Sequence, residues 1–223
     1  TRNDVKYVKC ENEQQLINEF LKFWQQHTPD VITGWNTEFF DIPYLCNRIK
    51  KLSGEDALKK MSPWNNVYEK EIYKMGRRHQ LYDIQGISHL DYFDLYRKFT
   101  YTNQESYRLD HIAFVELGEK KSGNPYETFR DWYTKDFQSF IEYNIQDVEI
   151  VDKLEDKMKL IELCLTMAYD AKVNYMDVLG STKYWDIIIY NFLLERNIVI
   201  PQKRKSEKEE KFEGAYVKDP QVG

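Results

Sequence analysis

The order strand, helix, strand at the start of the chain constrains its fold most. Residues 5–9 read as a short β-run, and residues 31–35 as a second, compact one. Between them Leu16, Ile17, Phe20, Leu21 and Trp24 recur at helical spacing and give one broad apolar face. Asn12 stands three residues before Gln15, the capping-box pattern of a helix start. This alternation predicts an α/β layer with a partly parallel sheet.

The same reading extends down the chain. Pro43 lies near the start of a helix over residues 42–52, where proline is tolerated, and a short helix follows at 55–60. Two β-prone arms then flank Lys74-Met75-Gly76-Arg77-Arg78. One carries Val67, Tyr68, Ile72 and Tyr73, and the other Leu81, Tyr82 and Ile84. Glycine supplies the turn, so residues 66–85 read as an extended hairpin with a basic tip, Lys70 close by. Helical patterns follow near 94–99 and 108–117, from 136 to about 172 with a break, and over 182–196. Residues 120–125 form a polar loop, and the mixed charges of 203–211 a solvated linker.

Composition excludes little. The 223 residues make one large domain, or one plus part of another, and an aromatic share of 15% supports a substantial core. A formal charge of −5 does not exclude nucleic acid, because a local basic surface can bind it. Cys10, Cys46 and Cys164 lack metal-site spacing and read as reduced thiols, and the four histidines lack it too and read as surface or structural residues. Apart from Trp35 the tryptophans read as core. No signal peptide or membrane-spanning run is expected. Thr1 in place of a methionine, and a final KDPQVG without a closing element, read as cuts through a longer protein, with tag removal or a natural split gene as alternatives.

Two segments carry the chemistry. In GWNTEFFDIPY, residues 34–44, a β-run ends, a polar turn follows and a helix begins, which puts Asp41 at a helix N-terminus and Asn36 five residues earlier. In YNIQD the i, i+4 spacing puts Tyr143 and Asp147 on one helix face, opposite Ile141, Ile145 and Val148. Asp41 alone could be only a cap, and the Tyr143/Asp147 pair only a solvated face. Taken together they suit two-metal phosphodiester hydrolysis, in which several carboxylates surround two hard cations and a phenol orients the water.

These segments resemble the Exo II and Exo III motifs of the proofreading domain of family B DNA polymerases, a DEDDy exonuclease: Asn36 with Phe40-Asp41, and Tyr143 with Asp147. TGWNTEFFDIPYLCNRIK, LDYFDLYRKFTYTNQESYRLDHIA, FIEYNIQDV, KYWDIIIYNFLLERNIVIPQ and FEGAYVKDP resemble, in the same order, the replicative polymerases of large tailed bacteriophages. The resemblance implies an α/β, ribonuclease H-like 3′→5′ exonuclease fold with an inserted β-hairpin and its first strands missing. It divides the chain into an exonuclease domain over 1–160, a segment returning to the N-terminal domain over 161–201, and a linker and start of the palm over 202–223.

It also implies that Asp41 and Asp147 ligate Mg2+ or Mn2+ and that Tyr143 positions the water. Asn36, Phe40, Lys74, Arg77, Arg78, Gly214 and Tyr216 would contact DNA, and Asp91 would be a structural residue below the site. The partners implied are primer-template DNA, its single-stranded 3′ end, the remainder of the polymerase and, through a C-terminus outside this chain, a sliding clamp; the place is the cytoplasm of an infected bacterium. The family's Exo I pair, Asp-x-Glu on a first strand, has no counterpart before Asn36, since Glu11 and Glu13 stand in a helix-cap context. The chain is therefore expected to hold two of four exonuclease acids, no polymerase acids, and an incomplete site by itself. The rival readings are a non-catalytic DNA-binding or structural piece and a free-standing DEDD exonuclease.

Overall fold

The computed structural model describes residues 5–74, 76–119, 123 and 125–200. Helix α1 (Glu13–His27) opens with the expected capping box: the Asn12 side chain accepts from Gln15 N at 2.9 Å, and Gln15 Oε1 accepts from Glu11 N at 2.8 Å. Strand β1 (Val31–Ile32) leads through a turn into α2 (Asp41–Ser53) and α3 (Glu55–Lys59). Strands β2 (Val67–Lys74) and β3 (Arg77–Ile84) pair antiparallel in continuous register from Val67↔Ile84 to Lys74↔Arg77, so the two β-prone arms do form a hairpin. The remaining elements are β4 (Ser88–His89), α4 (Tyr92–Phe99), α5 (Leu109–Leu117), α6 (Phe129–Lys135), α7 (Phe137–Met158), α8 (Leu160–Ala171), a 3₁₀ turn (Tyr175–Leu179) and α9 (Ser181–Leu194).

The α/β expectation holds in a reduced form. β1 pairs with β4 in parallel, and the hydrogen bonds continue the ladder on both sides: Asp30 O, Ile32 O and Gly34 O accept from Ser88 N, Leu90 N and Tyr92 N. Because side chains alternate across a strand, Val31 packs on one apolar cluster and Ile32 on the other. The first cluster joins α4, α5, α7 and α8 through Tyr92, Leu95, Tyr96, Ile112, Leu154 and Cys164. The second joins α1, α2, α3 and the root of the hairpin through Leu21, Cys46, Ile49, Met61, Tyr82 and Ile84. The short ladder thus lies between two helical packing layers, and the chain segment that leaves it carries the candidate site.

Several expectations change. Residues 5–9 form no strand and pair with none among the described residues; a β-run needs a partner edge, and none is offered there. The run at 31–35 forms only two strand residues, since Gly34 already begins the turn. The pattern from 136 to 172 does break: Lys159 adopts a left-handed conformation (φ 55°) between α7 and α8, and Lys172 does so after α8 (φ 58°). Trp64 and Trp185 are exposed rather than core. The amphipathic pattern of α9 meets little protein, and none of its residues is buried. All three cysteines are free. Among the described residues, no helix is long and apolar enough to cross a membrane. Residues 202–223, with the linker, Gly214 and Tyr216, lie outside the described residues.

Candidate active site

The turn from β1 to α2 is built on one carboxylate. Asp91, 3% exposed, caps α4 by accepting from Phe93 N at 3.0 Å. It also accepts from Asn36 N at 2.9 Å through Oδ1 and from Glu38 N at 2.9 Å through Oδ2. Burial pushes its pKa up, and those N–H groups pull against the shift. The turn it holds is tight. Asn36 sits at φ 62°, a left-handed conformation that asparagine tolerates, and a Cβ on Gly34 would stand 2.3 Å from Thr37 Cγ2. Thr37 O then accepts from Ile42 N at 3.0 Å, and α2 begins with Asp41 as its first residue. Asp41 is exposed at the helix start; the protein on its inner side raises its pKa, with the Asp91 charge adding to the rise. Asn36 and Phe40 are exposed on the same turn.

Asp147 comes from α7. The face reading is corrected here: the buried stripe of α7 is Ile150, Val151 and Leu154, and Val148 is 72% exposed. Asp147 lies three and four residues before Ile150 and Val151, so it continues the buried stripe instead of opposing it. Periodicity alone could not choose between the two sides, because both carry aliphatic residues; packing against α5 made the choice. Asp41 and Asp147 line one cleft of about 540 Å³, together with Thr33, Trp35, Asn144 and Asp152. Trp35 is fixed there by donating Nε1–H to Tyr107 O at 3.1 Å. Tyr143, one turn before Asp147, is not among the lining residues; its ring packs on α6, 4.8 Å from Trp132.

Two further groups support the turn. His89 on β4 is hydrogen-bonded through Nε2 to Thr37 Oγ1 at 2.8 Å, and burial pushes its pKa down to about 4 against the opposing pull of Asp94. From the hairpin, the His79 ring meets Phe39 edge-on at 5.4 Å, and the Tyr82 hydroxyl donates to Asn47 Oδ1 on α2 at 2.7 Å. His79 thus touches the site turn. The basic tip is partly neutralised: Lys70 pairs with Asp83, and Arg78 with Glu71 at 3.4 Å. Lys74 closes the ladder opposite Arg77.

Residues 2–112 match the model of the exonuclease domain of DNA polymerase family B. The chain is 44% identical over 218 residues to a DNA-directed DNA polymerase of Escherichia phage RB69, and 39% identical over 217 residues to that of Enterobacteria phage T4; each match covers 97% of this chain. The chain belongs to the family B DNA polymerases. It spans 24% of the length of each phage relative. A DNA polymerase delta catalytic subunit of Candida albicans is 27% identical over 225 residues, covering 96% of this chain and 21% of that subunit.

Family B membership focuses the question of a divalent metal. Among the described residues, no three His, Cys, Asp or Glu side chains converge to hold an ion. The acids that line the cleft, Asp41, Asp147, Asp152 and Glu155, offer carboxylate oxygens, which suit a hard cation such as Mg2+ or Mn2+. Glu155 is committed elsewhere, since its oxygens accept from Ile161 N and Glu162 N at the start of α8. Sequence reading passed over Asn144 and Asp152 because acids and amides on a helix read as a solvated face. It also passed over α6, although Thr128, which accepts from Asp131 N at 3.0 Å, stands at the capping spacing.

Proposed function

We propose that this chain is the proofreading 3′→5′ exonuclease region of a replicative DNA polymerase, with a ribonuclease H-like fold, hydrolysing the phosphodiester at the primer 3′ terminus. The observation that carries the reading is the cleft where Asp41 of α2 and Asp147 of α7 meet beside Trp35 and the Asn36–Phe40 turn. Divalent Mg2+ or Mn2+ held by Asp41 and Asp147 would activate the attacking water and stabilise the leaving 3′ oxygen. Tyr143 positions the water through its hydroxyl. Exposed Asn36 and Phe40 support the terminal nucleotide, with contacts to backbone and stacked base that tolerate any sequence. The hairpin parts primer from template through Arg77, Arg78 and Lys74. Residues 1–160 form the exonuclease domain, 161–201 return to the N-terminal domain, and 202–223, with Gly214 and Tyr216 on the template, lead to the palm. The partners are primer-template DNA, the rest of the polymerase and a sliding clamp, in the cytoplasm of an infected bacterium.

The test uses the full-length polymerase that contains this chain. Asp147→Ala should abolish excision of a 5′-labelled oligonucleotide while nucleotide incorporation persists, because a lost carboxylate dismantles the metal geometry. Tyr143→Phe should cost less, about 10²–10⁴-fold at most, the range for one positioning or proton-transfer contact. Loss of incorporation in either variant, or an equal loss of excision in both, would refute these roles. As a second arm, the 223-residue chain alone should digest the oligonucleotide weakly or not at all; digestion that Asp147→Ala removes would show its own residues to suffice.

A further inference from the structure

Helix α6 stands beside the site without lining the cleft, and its one buried side chain points at Tyr143. Trp132 is 2% exposed. Its ring lies 4.8 Å from that of Tyr143 at 56°, and its Nε1–H donates to Ser139 Oγ at 3.0 Å, which ties α6 to the first turn of α7. Phe129 stacks on Trp132 at 6.2 Å and 17° and lies 6.2 Å from Tyr143, and Phe140 meets both Phe129 and Trp132 edge-on. The Tyr143 ring is therefore packed by Trp132 and Phe129 of α6.

Side chains on a helix lean toward its N-terminus. Tyr143 accordingly leans back toward the turn of Phe140 and away from Asp147, whereas Asn144 and Asp147 open into the cleft. Tyr143 packs on the aromatic cluster one turn before Asp147, and its χ1, held by that packing, settles where the hydroxyl oxygen lies. We propose that Trp132 is a positioning residue for excision, fixing the Tyr143 ring and hence the position of its hydroxyl. The inference rests on the role given to Tyr143 under the proposed function. Trp132 touches neither substrate nor metal in this scheme; it acts only through Tyr143. A misplacement of about 1 Å at a reacting group can cost about 10²-fold in rate, which sets the size of the effect.

The test is steady-state excision from a single-stranded 3′ end by the full-length polymerase that contains this chain. Trp132→Leu, Trp132→Phe and Phe129→Ala are compared in the Tyr143 and Tyr143→Phe backgrounds. Trp132→Leu should lower kcat by up to about 10²-fold with KM unchanged. Trp132→Phe, which keeps a ring, should restore most of it. In the Tyr143→Phe background none of the three should lower kcat further, because the hydroxyl through which they act is gone. Equal losses in both backgrounds would make Trp132 purely structural and overturn the proposal. A raised kcat would overturn it too, by showing that α6 restrains the ring away from its working position. Should Trp132→Leu fail to fold, the exposed Phe129→Ala carries the test: it too should lower kcat in the Tyr143 background, and an unchanged kcat there refutes the proposal. Wild-type polymerase that incorporates nucleotides but never excises them would refute the function reading instead, a distinct result.

Discussion

The clearest pH-dependent prediction concerns His89. It sits on β4 under the site turn, bonded to Thr37 Oγ1, and burial holds its pKa near 4 instead of the ordinary 6.5. In the unfolded chain the ring takes a proton as pH falls through 6.5, and the folded chain refuses it until about pH 4. The unfolded state then binds more protons, so folding stability falls across that window and the loss is complete below it. At about 1.36 kcal/mol per pH unit the window amounts to at most about 3.4 kcal/mol. For a chain of this length that is a drop of up to roughly 7–14 °C in melting temperature. His89→Gln keeps a polar partner for Thr37 and removes the titration. Thermal unfolding of the wild-type chain and the variant, followed by circular dichroism from neutral pH to roughly pH 4, should show the wild type losing more stability on acidification. Asp41 and Asp91 have raised pKa values and oppose the trend, gaining stability as pH falls through their range, but they are common to both proteins and cancel in the difference. Parallel curves for the two proteins would refute the burial argument for His89.

Two more outcomes follow from the same turn and from the hairpin. Asp91→Ala leaves the N–H groups of Asn36, Glu38 and Phe93 without their acceptor; offset by the relieved burial of a carboxylate, the net loss should be about 3 kcal/mol, with Asp91→Asn milder, and an unchanged urea midpoint in Asp91→Ala would show the turn to be held by the β1–β4 ladder alone. In the full-length polymerase, deleting residues 74–78 should slow excision from duplex primer ends and leave single-stranded ends nearly unchanged, and equal slowing on both would mark a folding defect carried through Tyr82 and Ile84 at the hairpin root.

Much of the architecture could be read from local signals. Asn12 and Gln15 cap α1, Asp136 caps α7 by accepting from Ser139 N, and left-handed Gly118 closes α5. The hairpin arms pair where their β-prone residues are, because each strand's partner lies next to it in sequence. The placement of the candidate residues was legible in part. Asp41 stands first on its helix, as the strand–turn–helix pattern required, and Asp147 shares its cleft. The exposure of Val148 was not legible, since it depends on packing against the more distant α5, whereas α6 did carry a capping signal at Thr128, and the packing of Tyr143 on it follows only once α6 is placed.

The sequence by itself determined where helices begin and end, the hairpin, and which residue types could do phosphodiester chemistry. Those are consequences of backbone capping, of periodicity and of the oxygen donors available. Tertiary structure alone decided that, among the described residues, 5–9 stay unpaired while 31–32 find 88–89, since a parallel pair needs an edge brought from far along the chain. It also decided which face of α7 turns inward. Both faces carry aliphatic residues, and only packing against α5 placed Asp147 toward Asp41 while the α6 aromatics took Tyr143.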